Sequence, residues 1–178
     1  MKDVTTPGLK LIAQTKYLRF VEREGWSFVQ RVTPSRAVCM VAKTAAHCVV
    51  LVEQYRKPVE RRVIELPAGL VGDVPGQGEE SLVVAAQREL LEETGYVAGE
   101  WRQLSELASC PGLTDETTTA FLATNLTKQA AGGGDATESI EVHEVPLEKA
   151  EDWLAQQSRA GKLIDARVYM GLYFLRDA

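Results

Sequence analysis

Cysteine is scarce in this chain. Cys39, Cys48 and Cys110 are scattered, odd in number and without a C-x-x-C spacing. That excludes a disulfide scaffold and gives no sign of a zinc or thiol-redox centre, so buried or idle thiols in a reducing compartment are expected. Long apolar runs are missing too, and the N-terminal Met1-Lys2-Asp3-Val4-Thr5-Thr6-Pro7 has no signal-type apolar core. The expected location is therefore cytoplasmic, with no membrane partner. No basic run offsets the net charge of -5, which argues against nucleic acid as a partner. A phosphate-bearing substrate stays open, because a bound metal can supply positive charge. The two histidines, His47 and His143, stand apart and suggest neither a triad nor a zinc site.

What is present is the composition of one ordinary globular domain, 45% hydrophobic and 25% charged, spanning residues 1–178. Strand-like patterns dominate its first third. Residues 9–31 alternate loosely around Glu24-Gly25 and predict a β-hairpin with Trp26 and Phe28 on one face. Valine-rich runs at 37–43 and 48–54 and a short one at 63–66 predict further strands. Later strands are expected at 101–107, 117–123 and 140–145, and a flexible glycine loop at 130–135. Pro146 suits the first turn of a helix reaching Ser158, and residues 163–175 read as a final helix. Successive strands with one central helix and helices at the end give an α+β chain. Residues 1–34 form N-terminal strands and 35–178 the core.

The central helix covers 80–96, E-S-L-V-V-A-A-Q-R-E-L-L-E-E-T-G-Y. Apolar residues recur at Leu82, Val83, Ala86 and Leu90, and Gly95 is placed to cap its end. At about 100° per residue, Glu89, Glu92 and Glu93 share one arc beside the apolar stripe. Carboxylates that close repel one another, and Arg88 alone is placed to help, at i,i+4 from Glu92. A solvated acidic face is the bland explanation. A site for a hard divalent cation such as Mg²⁺, which takes carboxylate oxygens and substrate phosphate, is the functional one.

The same residues resemble the Nudix hydrolase signature, G-x5-E-x7-R-E-U-x-E-E-x-G-U with U a bulky apolar residue. Glu80, seven residues and then Arg88-Glu89-Leu90-Leu91-Glu92-Glu93-Thr94-Gly95-Tyr96 match its second half without a gap. The first half departs: ten residues, not five, separate the best-fitting glycine, Gly69 in Leu66-Pro67-Ala68-Gly69, from Glu80. The extra residues fall in the turn-rich run 72–78, which lengthens a loop without disturbing the helix.

The resemblance implies a Nudix-type α/β/α sandwich with a mixed β-sheet, preceded here by the N-terminal hairpin. It implies metal ligation by Glu89, Glu93 and Glu92 and by the backbone carbonyl of Ala68. Mg²⁺ would be the cofactor, with Mn²⁺ as a substitute. Arg88 would orient the carboxylates and Glu80 support them from the helix start. Pro111 follows Gly95 by sixteen residues. That spacing resembles the mark of the branch acting on ADP-ribose and nucleoside diphosphate sugars, and it places Pro111, Gly112 and Glu116 near the substrate. Arg56, in Gln54-Tyr55-Arg56, resembles an arginine that touches the diphosphate in related enzymes. The loop from Gly132 to Glu141 corresponds to one carrying the catalytic base, for which Glu138 is chosen, with Glu141 and Asp135 in reserve. Enzymes of this branch are typically homodimers sharing their N-terminal strands. A nucleotide-binding regulator of the same fold is the alternative class. A hydrolase of RNA caps or nucleoside triphosphates is disfavoured by the Pro111 spacing and the lack of a basic patch.

Overall fold

A computed structural model describes residues 8–33, 36–72, 80–134 and 139–176. The N-terminal part is a three-stranded antiparallel sheet of β1 (Leu9–Gln14), β2 (Leu18–Arg23) and β3 (Trp26–Arg31), in that spatial order. Arg23 pairs with Trp26 across the two-residue turn Glu24-Gly25, whose φ values of 50° and 80° are those of a type I′ hairpin. The predicted hairpin thus gains a third strand. β1 is exposed at five of its six residues, so it carries no buried face for an alternating pattern to reveal.

The main sheet is mixed and eight-stranded. It comprises β4 (Ala37–Lys43), β5 (Cys48–Arg56), β6 (Arg61–Glu65), β7 (Ala68–Leu70), β8 (Tyr96–Ala108), β9 (Thr117–Lys128), β10 (Glu141–Pro146) and β11 (Leu163–Ile164). Its path is β11-β6-β5-β4-β9-β8, with β10 added to β5 and β7 to β4. The pairs β4–β9 and β6–β11 are parallel, and the others antiparallel.

β4 is buried along six of its seven residues because helices cover both faces of the sheet. On one face Val38, Met40 and Ala42 meet Ala85, Ala86 and Leu90 of α1 (Leu82–Thr94). On the other, Cys39 and Val41 share a cluster with Leu154 of α2 (Ala150–Arg159) and Val168 and Leu175 of α3 (Ala166–Leu175). The expected α/β/α sandwich is present.

Three local expectations change. Pro146 does not open a helix; it ends β10 opposite Cys48, and a single 3₁₀ turn at Leu147–Lys149 leads into α2. Leu163 and Ile164 are not helical. They pair with Val63 and Ile64 as β11, and Asp165 then caps α3 by accepting from the Arg167 amide at 2.7 Å. A short apolar run suits strand or helix equally, and the open edge of β6 decides.

The glycine loop, expected to be flexible, is instead the clasp on the end of α1. Gly133 and Gly134 donate to the carbonyls of Glu93 and Glu92 at 2.8 and 3.1 Å, and Lys128 Nζ donates to the Thr94 carbonyl at 2.7 Å. These bonds satisfy carbonyls that a helix end leaves unpaired. The approach is close enough that a Cβ on Gly95 would stand 2.0 Å from the Ala130 carbonyl oxygen.

Candidate active site

Ser81 starts α1 by accepting from the Val84 amide, and Gly95 at φ 72° stops it. Between these caps the apolar stripe seats the helix on β4, which turns the glutamates toward β7 and the turn before it. Glu89 and Glu93 are 8% and 3% exposed, whereas Glu92 is on the open side. Buried carboxylates need donors.

Arg88 supplies one to Glu89 and reaches three further groups around it. Its Nε and Nη2 donate to the two oxygens of Glu80 at 3.1 and 3.2 Å. Nη1 donates to Glu89 at 2.8 Å and to Glu92 at 3.3 Å, and Nη2 also reaches the Leu70 carbonyl at 2.9 Å. Glu80 further accepts from the Gly72 amide at 2.8 Å. The Arg88 guanidinium, above all, holds the Glu80 carboxyl below the usual carboxylate range. One arginine therefore ties the loop before α1, the strand β7 and two helix glutamates into a single unit.

Glu93 is oriented differently, by the Ala68 amide, which donates to its Oε2 at 3.0 Å. Glu89 lies against Gly69 so closely that a Cβ there would sit 1.9 Å from the Glu89 carboxyl carbon. The space a side chain would fill at position 69 is taken by a carboxylate. Two buried carboxylates, Glu89 against the bare Gly69 of β7 and Glu93 on the Ala68 amide, offer the hard oxygen donors that a divalent cation such as Mg²⁺ takes. Glu89, Glu93 and the Ala68 carbonyl would hold it, with Glu92 at the open edge.

The other predicted residues fall in two places. Arg56, at the end of β5, is gripped by Glu65 through Nε at 2.7 Å and Nη2 at 2.8 Å. Gly112 and Glu116 lie in the turn between β8 and β9 that also contains Pro111, and there they meet the N-terminal sheet. Arg31 Nε donates to Glu116 Oε2 at 2.6 Å, Trp26 Nε1 to the Gly112 carbonyl at 3.4 Å, and the Val29 amide to the Leu113 carbonyl at 2.8 Å. Gln30 bonds Asp115 alongside. Trp26 is 63% exposed, so it is no part of the core. Glu138 and Asp135 lie outside the described residues.

Residues 33–165 match the NUDIX domain. This chain belongs to the NUDIX family of hydrolases. The matched span contains the whole Arg88-centred unit and the Pro111 turn. Among relatives of this NUDIX hydrolase, the methanol dehydrogenase activator of Bacillus methanolicus is 33% identical over 141 residues, 79% of this chain and 71% of that one. The ADP-ribose pyrophosphatase of Bacillus subtilis strain 168 is 39% identical over 115 residues, 64% of this chain and 60% of its own length. The GDP-mannose pyrophosphatase of Escherichia coli K12 is 31% identical over 150 residues, 80% and 73% of the two chains. The crystal structure of an ADP compounds hydrolase superposes with a TM-score of 0.71 at 24% identity, covering 95% of this chain and 90% of that one, and so shares the fold.

A second polar centre in this hydrolase was not foreseen. Glu53, 1% exposed on β5, accepts from Arg62 Nε, from Lys162 Nζ at 2.7 Å and bonds His143 Nε2 at 2.9 Å. Burial pushes its pKa up, but the bonds from Lys162, Arg62 and His143 outweigh burial and bring it down to about 2. Glu141 joins at the edge, 3.8 Å from Arg62. Among the described residues, the acid and histidine group whose ligand atoms all lie within 4.8 Å is Glu53, Glu141 and His143. With two cationic side chains already on these carboxylates, this centre is a salt-bridge node. His143 is thus not isolated, and only the pairing of β10 with β5, which sets His143 opposite Leu51, brings it within reach of Glu53. Cys39, Cys48 and Cys110 are free thiols, and burial pushes the Cys39 pKa up to about 11, which leaves it unreactive.

Proposed function

We propose that this chain is a Mg²⁺-dependent pyrophosphohydrolase that cleaves ADP-ribose or a nucleoside diphosphate sugar such as GDP-mannose. The products are a nucleoside monophosphate and a sugar phosphate, and Mn²⁺ can substitute for Mg²⁺. The observation that carries this reading is the buried pair Glu89 and Glu93, the first held by Arg88 against the bare Gly69 of β7 and the second by the Ala68 amide. The relatives named for ADP-ribose and GDP-mannose support the substrate class. When bound, the cation would neutralise the diphosphate and stabilise charge on the attacking and leaving oxygens.

The chain's own residues do the rest. Arg88 keeps Glu89 and Glu92 oriented and Glu80 anchored, so the carboxylates need not rearrange when substrate arrives. Arg56 contacts the diphosphate. Glu116, Pro111 and Gly112 border the nucleoside or ribose, in a turn braced by Arg31 and Trp26. Glu138 accepts a proton from water attacking one phosphorus in line with the anhydride oxygen that leaves. Glu141 is a poorer base, since Arg62 and the Glu53 centre already engage it. The protein acts in the cytoplasm as a homodimer. The exposed Leu11, Ile12, Tyr17, Leu18 and Phe20 of the N-terminal sheet support that association.

The test is product formation from ADP-ribose, GDP-mannose, UDP-glucose, ATP and capped RNA, with Mg²⁺ and with EDTA. Metal-dependent release of a nucleoside monophosphate from a diphosphate compound is expected. Binding without turnover of any compound would instead favour a nucleotide-responsive regulator, the reading suggested by the relative named as an activator.

A further inference from the structure

Glu65 is a buried carboxylate, 3% exposed, at the last position of β6. It precedes Gly69 by four residues and is not among the residues that would hold the metal. Two arginines converge on it. Arg56 meets it fork to fork, Nε on Oε1 at 2.7 Å and Nη2 on Oε2 at 2.8 Å. Arg167 Nη2 stands 3.8 Å from the same Oε2. Arg167 is itself fixed by Asp165, through Nε at 2.9 Å and Nη2 at 2.7 Å.

The backbone explains this convergence. β11 pairs in parallel with β6 through Ile64, and the Asp165 amide donates to the Ile64 carbonyl at 2.9 Å. Asp165 and the start of α3 therefore stand beside Glu65. From Glu65 the chain continues through Leu66 and Pro67 to Ala68, whose amide holds Glu93. The carboxylate that grips Arg56 thus lies three residues from Ala68, the residue of β7 that orients Glu93. The charge of Glu93 also reaches Arg56, adding to the larger effect of the Glu65 bonds in raising its pKa.

We infer that Glu65 is a positioning residue for diphosphate recognition: it holds the Arg56 guanidinium in one plane, backed by Arg167, so that Nη1 faces the ligand. This rests on the proposed function. Among the described residues, Nη1 of Arg56 has no hydrogen-bond partner, while Nε and Nη2 are both engaged. A free arginine gives up its rotamer freedom when it binds phosphate, whereas one already held in place gives up little. Lysine cannot take the two-bond grip. The expected loss on breaking that grip is therefore in substrate binding.

The experiment is a double-mutant cycle on the full chain with Mg²⁺ and ADP-ribose or GDP-mannose, whichever the wild type cleaves faster. Arg56→Lys and Glu65→Gln should each raise KM about tenfold with kcat nearly unchanged. The double variant should be no worse than the poorer single one, because both changes break the same arrangement. Multiplying effects, or an unchanged KM in Glu65→Gln, would overturn the inference while leaving the function standing. If Glu65→Gln does not fold, Glu65→Asp keeps the charge but shortens the reach, and the same non-additivity is expected. A wild type that neither binds nor cleaves these compounds would overturn the functional reading, and the positioning role with it.

Discussion

The Ala68 amide donates to Oε2 of Glu93 at 3.0 Å, joining the start of β7 to the last turn of α1. Residues 25 apart in the chain are joined by a bond between a neutral donor and a charged acceptor, beside the link that Arg88 makes from α1 to the Leu70 carbonyl. The consequence is testable. Glu93→Gln keeps an oxygen to accept from Ala68 but removes the charge. Turnover should fall by a factor of about a thousand with the fold intact by circular dichroism. Near-normal activity at saturating Mg²⁺ would refute the role given to Glu93.

Gly69→Ala tests the cradle. The added methyl would meet the end of the Glu89 side chain, which can swing aside, rather than immovable backbone. Stability should therefore fall by only about 1–3 kcal/mol, while Mg²⁺ affinity and turnover drop far more. Calorimetric Mg²⁺ titration beside thermal melts separates the two effects. A variant with wild-type metal affinity would show that the Glu89 position is immaterial.

Acid stability should report on Glu53. Its folded pKa of about 2 lies below the ordinary carboxylate value of 4.5, so the unfolded chain takes up protons first as pH falls. The stability from this depression is complete above about pH 4.5 and disappears as pH falls toward 2. It is on the order of 3 kcal/mol. Lys162→Met removes one donor and should lower stability at pH 7, with the gap from wild type closing near pH 2. Urea unfolding at both pH values measures this. A gap that stays constant with pH would mean that Lys162 acts by packing alone.

The bond from Arg31 to Glu116 should couple the N-terminal sheet to the Pro111 turn. Arg31→Ala is expected to speed hydrogen exchange in both β3 and residues 109–116, and to raise KM several-fold. Exchange that increases in β3 only would show that the turn is held by its own contacts.

Glu138→Gln should lower kcat much more than KM if this carboxylate accepts the proton from water. An unchanged kcat would pass the role to Asp135 or Glu141.

Much of this was legible in the one-dimensional chain, and for local reasons. α1, its Gly95 cap and the Arg88–Glu92 pair depend on helical periodicity and i,i+4 spacing, which a sequence displays directly. β4 and β5 show as valine-rich runs because helices cover both faces of the sheet. The third N-terminal strand, β7 and β11 were not legible. They are three exposed or very short segments whose strand character comes from the partner edge.

The sequence by itself determined the chemistry that Glu89, Glu93 and Arg88 can perform, since residue type and helical phase suffice to gather those groups on one arc. Tertiary structure alone decided what surrounds them. Gly69 leaves room for Glu89, and Ala68 orients Glu93. Gly133 and Gly134 clasp the helix end, and Glu65 holds Arg56. Each of these contacts joins elements distant in the chain, and sheet pairing and packing bring them within a bond length of one another.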